Sequence, residues 1–276
     1  MRYIVDHDLH MHSYLSLCAN HGHQVPIVML KYALANGLST ICLTDHYWDE
    51  RVPGAEFLGP YRAGAAIWYA IQNTRRTDLA LPLPQDEKVR FLYGCETEMD
   101  LNCRIGISPA ELARRDFVII PTTHLHMAGF TVAREDSSVQ RRAELWVSRF
   151  AALLDMDLPF HKIGVAHLTC SLFSPERTPQ STRECLALVS DAVMTDLFGK
   201  AAKRGIGVEL NFDPDQYERK GVLDDLLRPY RIAIDCGCKF YFGSDAHAPD
   251  EFTGAKAKFE KIVDLLDLTE DQKFKV

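Results

Sequence analysis

The chain has 276 residues, 47% of them hydrophobic and 25% charged, enough to bury one large α/β core. Its formal charge of −7 gives no global attraction for a polyanion, so a nucleic-acid partner is not expected, and no run approaches the roughly 18 apolar residues of a membrane span. The opening residues, Met1-Arg2-Tyr3-Ile4-Val5-Asp6-His7-Asp8, do not read as a signal peptide, and the eight cysteines are expected to be reduced thiols of a cytoplasmic protein.

In chain order, short hydrophobic runs alternate with longer segments of helical period. A strand over Tyr3–Leu9 runs into His10-Met11-His12, and Pro26–Asn36 predicts a helix that Gly37 ends. Thr40–Thr44 predicts a strand leading to Asp45-His46, followed by a helix over Pro60–Arg76 and a surface loop over Thr77–Lys88. Val89–Gly94 leads into Cys95-Glu96-Thr97-Glu98, and Pro109–Arg114 reads as a helix capped by Ser108. Phe117–Thr122 predicts a strand before His124-Leu125-His126, with a helix over Arg134–Asp155 behind it. Lys162–Ala166 leads to His167, then a loop over Ser171–Ser181 and a helix over Thr182–Arg204. The last units are a strand over Gly207–Asn211, a helix over Val222–Cys236, a strand over Phe240–Gly243 that precedes Asp245-Ala246-His247, and a helix over Thr253–Asp267.

This alternation implies a parallel α/β sheet. Candidate ligands follow strands spread over the whole chain, whereas an open sheet gathers its site at one switch point. The expectation is therefore a distorted, TIM-like (β/α)7 barrel, with residues 1–276 as one domain and no repeat or linker to divide it.

The strand-end residues carry the chemistry. On an extended segment, residues two apart face the same side, so both imidazoles of His10-Met11-His12 can reach one metal, and Asp245-Ala246-His247 has the same spacing. Glu96, directly after an apolar run, can bridge two ions, whereas Glu98 reads as polar lining or a solvent-facing group. His46, His124 and His167 complete the ligand candidates. Asp8 and Asp45 have two readings, as acceptors that orient an imidazole or as carboxylates of strand-end turns. His126 contacts substrate, shuttles protons or is loop polarity; Arg177 and Arg134 are the candidate phosphate-binding guanidiniums. Imidazoles and carboxylates with no cysteine among them suit zinc, manganese or iron better than magnesium or calcium. Cys236-Gly237-Cys238 reads as core rather than as a metal or redox motif.

As an ordered set, Asp8-Leu9-His10-Met11-His12-Ser13, Leu43-Thr44-Asp45-His46, Gly94-Cys95-Glu96-Thr97-Glu98, His124, His167 and Gly243-Ser244-Asp245-Ala246-His247 resemble the PHP (polymerase and histidinol phosphatase) family over nearly the whole chain. The resemblance implies a distorted seven-stranded barrel with two or three divalent metal ions. His10, His12, Glu96 and Asp245 would hold one ion, Glu96, His124 and His167 a second, and His46 and His247 with one further residue a third. The family's Asp or His about five or six residues after the first histidine pair is missing, for Leu17 and Cys18 stand there. His21, in Cys18-Ala19-Asn20-His21-Gly22, is the expected substitute, with His23 as the alternative; if neither binds, the site is dinuclear or holds a third metal weakly.

The activity implied is hydrolysis of a small phosphomonoester, histidinol phosphate-like or a nucleotide, by metal-activated hydroxide, with His10, His12, Glu96, Asp245 and His247 as its catalytic group. Two alternatives come from the same family: a nucleotide or nucleic-acid phosphodiesterase or exonuclease, and a non-catalytic module. The retained ligand candidates argue against the second. A metal-assisted attack on an amide is disfavoured because no apolar run ends on a lysine. The expected partner is a small-molecule phosphoester, no membrane is involved, and the oligomeric state is open.

Overall fold

A computed structural model describes residues 1–16, 18–19, 22–53 and 77–276. Among them, eight strands form one parallel sheet: β1 (His7–Met11), β2 (Thr40–Leu43), β3 (His46–Tyr47), β4 (Arg90–Thr97), β5 (Phe117–Ile120), β6 (Ile163–Val165), β7 (Gly207–Leu210) and β8 (Lys239–Phe242). The order is β1-β2-β4-β5-β6-β7-β8, with β3 paired to the far end of β4 through His46 and Glu96. Past the ends of the strands the sheet meets itself: the Asp245 amide donates to the His10 carbonyl at 2.7 Å, and the His12 amide to the Ala246 carbonyl at 3.0 Å. The result is a nearly closed, TIM-like α/β barrel in one domain.

Among the described residues eight helices surround it: α1 (Pro26–Asn36), α2 (Pro109–Arg114), α3 (Val139–Asp155), α4 (Pro179–Ala187), α5 (Asp191–Arg204), α6 (Pro214–Arg219), α7 (Leu223–Asp235) and α8 (Ala255–Leu266). No helix among the described residues is long and apolar enough to cross a membrane. Outward-facing strand residues such as Ile41, Val118, Val165, Val208 and Phe242 belong to the large core that also contains Trp146, Phe150, Phe198, Tyr230 and Phe259 of the helices. A second, smaller cluster fills the barrel itself: Leu9, Cys42, Leu92, Phe117, Ile119, Ala166, Tyr241 and Phe274. Gly164 makes room for it, since a Cβ there would lie 2.5 Å from the Tyr241 hydroxyl. The barrel is thus a packed body, and polar chemistry is confined to its mouth.

The element boundaries differ from expectation for local reasons. The first strand begins at His7 because Tyr3 and Ile4 are tied to the C-terminal segment, through the Leu268 carbonyl and the Glu270 carboxylate. The segment Thr182–Arg204 is two helices. Thr178 caps α4, which begins inside the expected loop Ser171–Ser181, and Ser190 caps α5 by accepting from the Val193 amide. Ser138 likewise starts the third helix at Val139 rather than at Arg134. The two-residue β3 and the six-residue α6, capped by Asp213, are too short for periodicity to register. The helix expected over Pro60–Arg76 lies outside the described residues.

One buried cation fastens the loops at the mouth. Arg149 of α3 is 1% exposed and donates to the carbonyls of Thr122 at 2.9 Å, Asp100 at 2.8 Å, Thr131 at 3.1 Å and Met99 at 2.8 Å. It joins the segments that follow β4 and β5, which carry Glu98 and His124. Replacement by methionine keeps the apolar stem but strands four carbonyls. Arg149→Met is expected to cost about 3 kcal/mol or more in denaturant unfolding; a loss below about 1 kcal/mol would contradict this role.

Candidate metal centre

The strand ends bring their imidazoles and carboxylates to one point. In β1, Asp8 pairs with Ile41 and Met11 with Leu43, so the strand carries one extra residue between them. That bulge lets Leu9 join the barrel interior while its neighbour His10 also turns to the site. The His10 and His12 Nε2 atoms stand 3.1 Å apart and lie 3.3 and 3.0 Å from Oδ1 of Asp245. His247 stacks on His12 with ring centres 4.3 Å apart, and His46 approaches the same ring at 4.5 Å. Across the mouth, His124 and His167 stack at 4.9 Å.

Glu96 stands between these groups and is 1% exposed. Its Oε2 faces His46 Nδ1 at 3.0 Å and the Nε2 atoms of His10 and His12 at 3.5 Å each. Its Oε1 faces Nε2 of His167 at 3.3 Å and of His124 at 3.7 Å. Three triads have donor atoms within 4.8 Å of one another: His10, His12 and Glu96; Glu96, His124 and His167; and His12, His46 and His247. Clustered imidazoles with a carboxylate shared between two triads form a donor set suited to divalent transition metals. The residues fit the ions the sequence suggests.

Carboxylates and hydroxyls behind the rings set their orientation. Glu209, fully buried in the middle of β7, lies 2.6 Å from His10 Nδ1 and accepts the His167 amide at 2.7 Å with its other oxygen. Gly243 permits this approach, because a Cβ there would sit 2.2 Å from Glu209 Oε1 and 2.4 Å from His10 Cβ. Glu98 is buried and holds His124 Nδ1 at 2.9 Å, so of its two readings it is polar lining and not solvent-facing. Thr123 Oγ1 meets His167 Nδ1 at 3.0 Å. A carboxylate or hydroxyl on one ring nitrogen fixes the tautomer that presents the other. His167 and Asp245 have φ of 30° and 55°, left-handed backbone that is costly for residues with a Cβ and is held here by the Glu209 and His10 hydrogen bonds.

Asp8 and Asp45 hydrogen-bond to backbone amides and hydroxyls and so pin the turns behind the rings. Asp8 accepts from the His10 and Ser244 amides and the Tyr32 hydroxyl, and burial pushes its carboxyl up to about 6. Asp45 accepts from the Ser13 amide and from the hydroxyls of Ser13 and Ser16. His7, at the opposite end of β1, accepts the Phe242 amide at 3.1 Å and is structural.

At the rim, His126 packs edge-on to His124 at 5.2 Å, and burial and the neighbouring His124 lower its pKa to about 4. Arg177 is exposed and donates to the His126 carbonyl at 3.2 Å. Arg134 is exposed, with its guanidinium over Gly129, in the loop beyond His126. His21 lies outside the described residues, and His23 is exposed.

The charges are strongly interdependent. Burial would lower the pKa of His10, but Glu209, Asp245 and Glu96 raise it well above the ordinary imidazole range. Against the same burial, Cys18 and Glu96 raise His46, Cys170 and Glu96 raise His167, and Cys18 and Asp245 bring His247 to about 9. Burial and the cationic neighbours His247 and His46 depress His12. Burial works to raise Glu96, yet the imidazoles around it, His10 first, hold it well below the usual carboxylate range.

Solved structures share this fold. The chain superposes on histidinol phosphate phosphatase from Lactococcus lactis subsp. lactis, solved in complex with zinc, L-histidinol and phosphate, with a TM-score of 0.54 and 18% identity, over 98% of this chain and 99% of that one. It superposes on the putative histidinol phosphatase of Listeria monocytogenes with a TM-score of 0.54 and 13% identity, over 89% and 96%. At such identities the likeness concerns the fold. No protein-family model and no curated protein matches the sequence.

Metal ligation needs neutral imidazoles, so the raised pKa values of His10, His46, His167 and His247 set protons against a metal ion. A proton held below a raised pKa is released on binding, and affinity must therefore climb with pH until those groups are neutral, near 9 for His247. Zinc titrations in two buffers of different ionisation enthalpy should give proton release at pH 7 and an apparent affinity that rises about tenfold or more per pH unit between pH 6 and 8. A flat affinity with no proton release would contradict it.

Proposed function

We propose, from this fold and this donor set, that residues 1–276 act as one metal-dependent phosphomonoesterase domain of the PHP type, with a small metabolite as substrate and histidinol phosphate as the first compound to test. The observation that carries the reading is the placement of Glu96, with one oxygen toward His10, His12 and His46 and the other toward His124 and His167. The fold likeness to histidinol phosphate phosphatases supports it, and the zinc and phosphate in one of those structures give the chemistry to try first.

In this reading His10, His12, Glu96 and Asp245 hold one ion, Glu96, His124 and His167 a second, and His46 and His247 contribute to a third. Divalent ions there supply Lewis-acid neutralisation of phosphoryl charge and a lowered water pKa. The chain's own residues prepare the site for them. Glu209 keeps a proton on His10 Nδ1 and Glu98 keeps one on His124 Nδ1, so that both Nε2 lone pairs face Glu96. The packed barrel interior under Glu96, with Ile119, Phe117 and Tyr241, excludes water from below and leaves approach only from the mouth. We assign the phosphoryl clamp to Arg177 rather than Arg134, because Arg177 already reaches the loop of His126 beside the imidazoles.

The test is phosphate release by zinc-, manganese- or iron-reconstituted protein from a panel that includes histidinol phosphate and nucleoside monophosphates. Activity should vanish on chelation and return with metal. His12→Ala and Glu96→Gln should each lower kcat/KM by about 1000-fold. A variant of either residue with full rate, or no turnover of any phosphoester by the metal-loaded protein, would sink the proposal.

A further inference from the structure

The loops that carry His124 and His167 have a common support behind them. On α3, Arg142, Trp146 and Arg149 follow helical spacing and fall on one face of the helix. All three are buried, and each donates from its side chain to backbone carbonyls at the barrel mouth. We propose that this face positions one ion of the centre, the one that Glu96, His124 and His167 would hold, with Trp146 and Arg142 as positioning residues. The inference rests on the metal-centre reading and adds to it what sets the affinity of one ion independently of its neighbour.

The carbonyls held by α3 are those beside the ligands. Trp146 Nε1 donates to the Leu168 carbonyl at 2.9 Å, directly after His167. Arg142 Nη1 donates to the Leu125 carbonyl, directly after His124, and reaches the Phe173 carbonyl at 3.5 Å. Arg149 Nε donates to the Thr122 carbonyl at 2.9 Å, just before His124 in the chain. Both ligand loops are thus fixed next to the imidazole by donors from the same helix. His167 needs this most, because its φ of 30° is left-handed backbone. Glu209 accepts its amide at 2.7 Å, and Trp146 fastens the carbonyl that follows.

The other side of Glu96 is built differently. His10, His12 and Asp245 come from β1 and from the segments after β1 and β8. There the Asp245 amide donates to the His10 carbonyl, and the His12 amide to the Ala246 carbonyl. Those bonds run between the ligand segments themselves. Loss of a donor on α3 therefore loosens His124 and His167 against Glu96 while His10, His12 and Asp245 keep their frame. Groups behind metal ligands tune affinity in this way, by fixing where the donor atoms point.

The test is zinc binding by the full-length protein, read site by site. Calorimetry gives the affinities, and anomalous diffraction from crystals at limiting zinc shows which side of Glu96 fills. Trp146→Phe removes the N–H donor and keeps an aromatic body in the core. It should weaken the ion beside His124 and His167 about tenfold or more, and leave the ion among His10, His12 and Asp245 within about twofold. Arg142→Met should do the same through His124. Phe150→Leu is the control: it trims the packing of α3 against Phe198 without removing a donor, and should change neither affinity by more than about twofold. Equal weakening of both ions, or a loss in Phe150→Leu as large as in Trp146→Phe, would show that α3 acts through general stability and would overturn the inference. Unchanged affinity in Trp146→Phe or in Arg142→Met would overturn the role of that residue. A wild-type protein that takes up no zinc, or fills one side of Glu96 only, would overturn the metal-centre reading itself.

Discussion

The Glu96 carboxylate, 1% exposed and facing imidazoles on both sides, is the constraint on which the rest of the structure depends. A buried carboxylate is costly unless cations or donors surround it. Here five rings do so, contributed by β1 and the residue just past it, by the short β3 and by the segments after β5 and β6. To bring them together the chain must close its sheet, because β1 and the segment after β8 supply one side of the cluster and the segments after β5 and β6 the other. The closed barrel and the polar mouth are therefore one solution to one electrostatic problem.

Much of the remaining machinery serves that placement. Glu209 joins two sides of the site by holding His10 through one oxygen and the His167 backbone through the other. Left-handed backbone at His167 and Asp245 turns side chains back over the barrel that an ordinary strand exit would send elsewhere. Arg149 gathers the carbonyls of the segments after β4 and β5, so that Glu98 and His124 meet on a fixed frame. Against burial, Glu209, Asp245 and Glu96 raise the pKa of His10, and Glu96 with a neighbouring cysteine raises those of His46 and His167, so protons and a metal ion compete for the same rings.

The imidazoles at strand ends were legible because two signals coincide there. A buried strand reads as an apolar run, and a polar residue directly after it must lie at the mouth. Glu209 escaped this logic. It lies within Gly207–Leu210 rather than after it, and a carboxylate inside an apolar strand was the available signal. Glu98 shares a strand face with Glu96, which was visible, but its partner His124 comes from a loop whose path no periodicity encodes. Helix ends set by single hydroxyls, as at Ser190, were lost inside a continuous amphipathic pattern, whereas glycine ends at Gly37 and Gly205 were not. His21 remains a sequence expectation, outside the described residues.

The central claim is that Glu96 is shared between two metal ions. Diffraction data collected on either side of the absorption edge of zinc, from crystals of the zinc-reconstituted protein, test it most directly. Separate anomalous peaks should stand at the two oxygens of Glu96, one among His10, His12 and Asp245 and the other beside His124 and His167. A single peak on one side of Glu96, with the opposite imidazoles free of metal, would contradict the account.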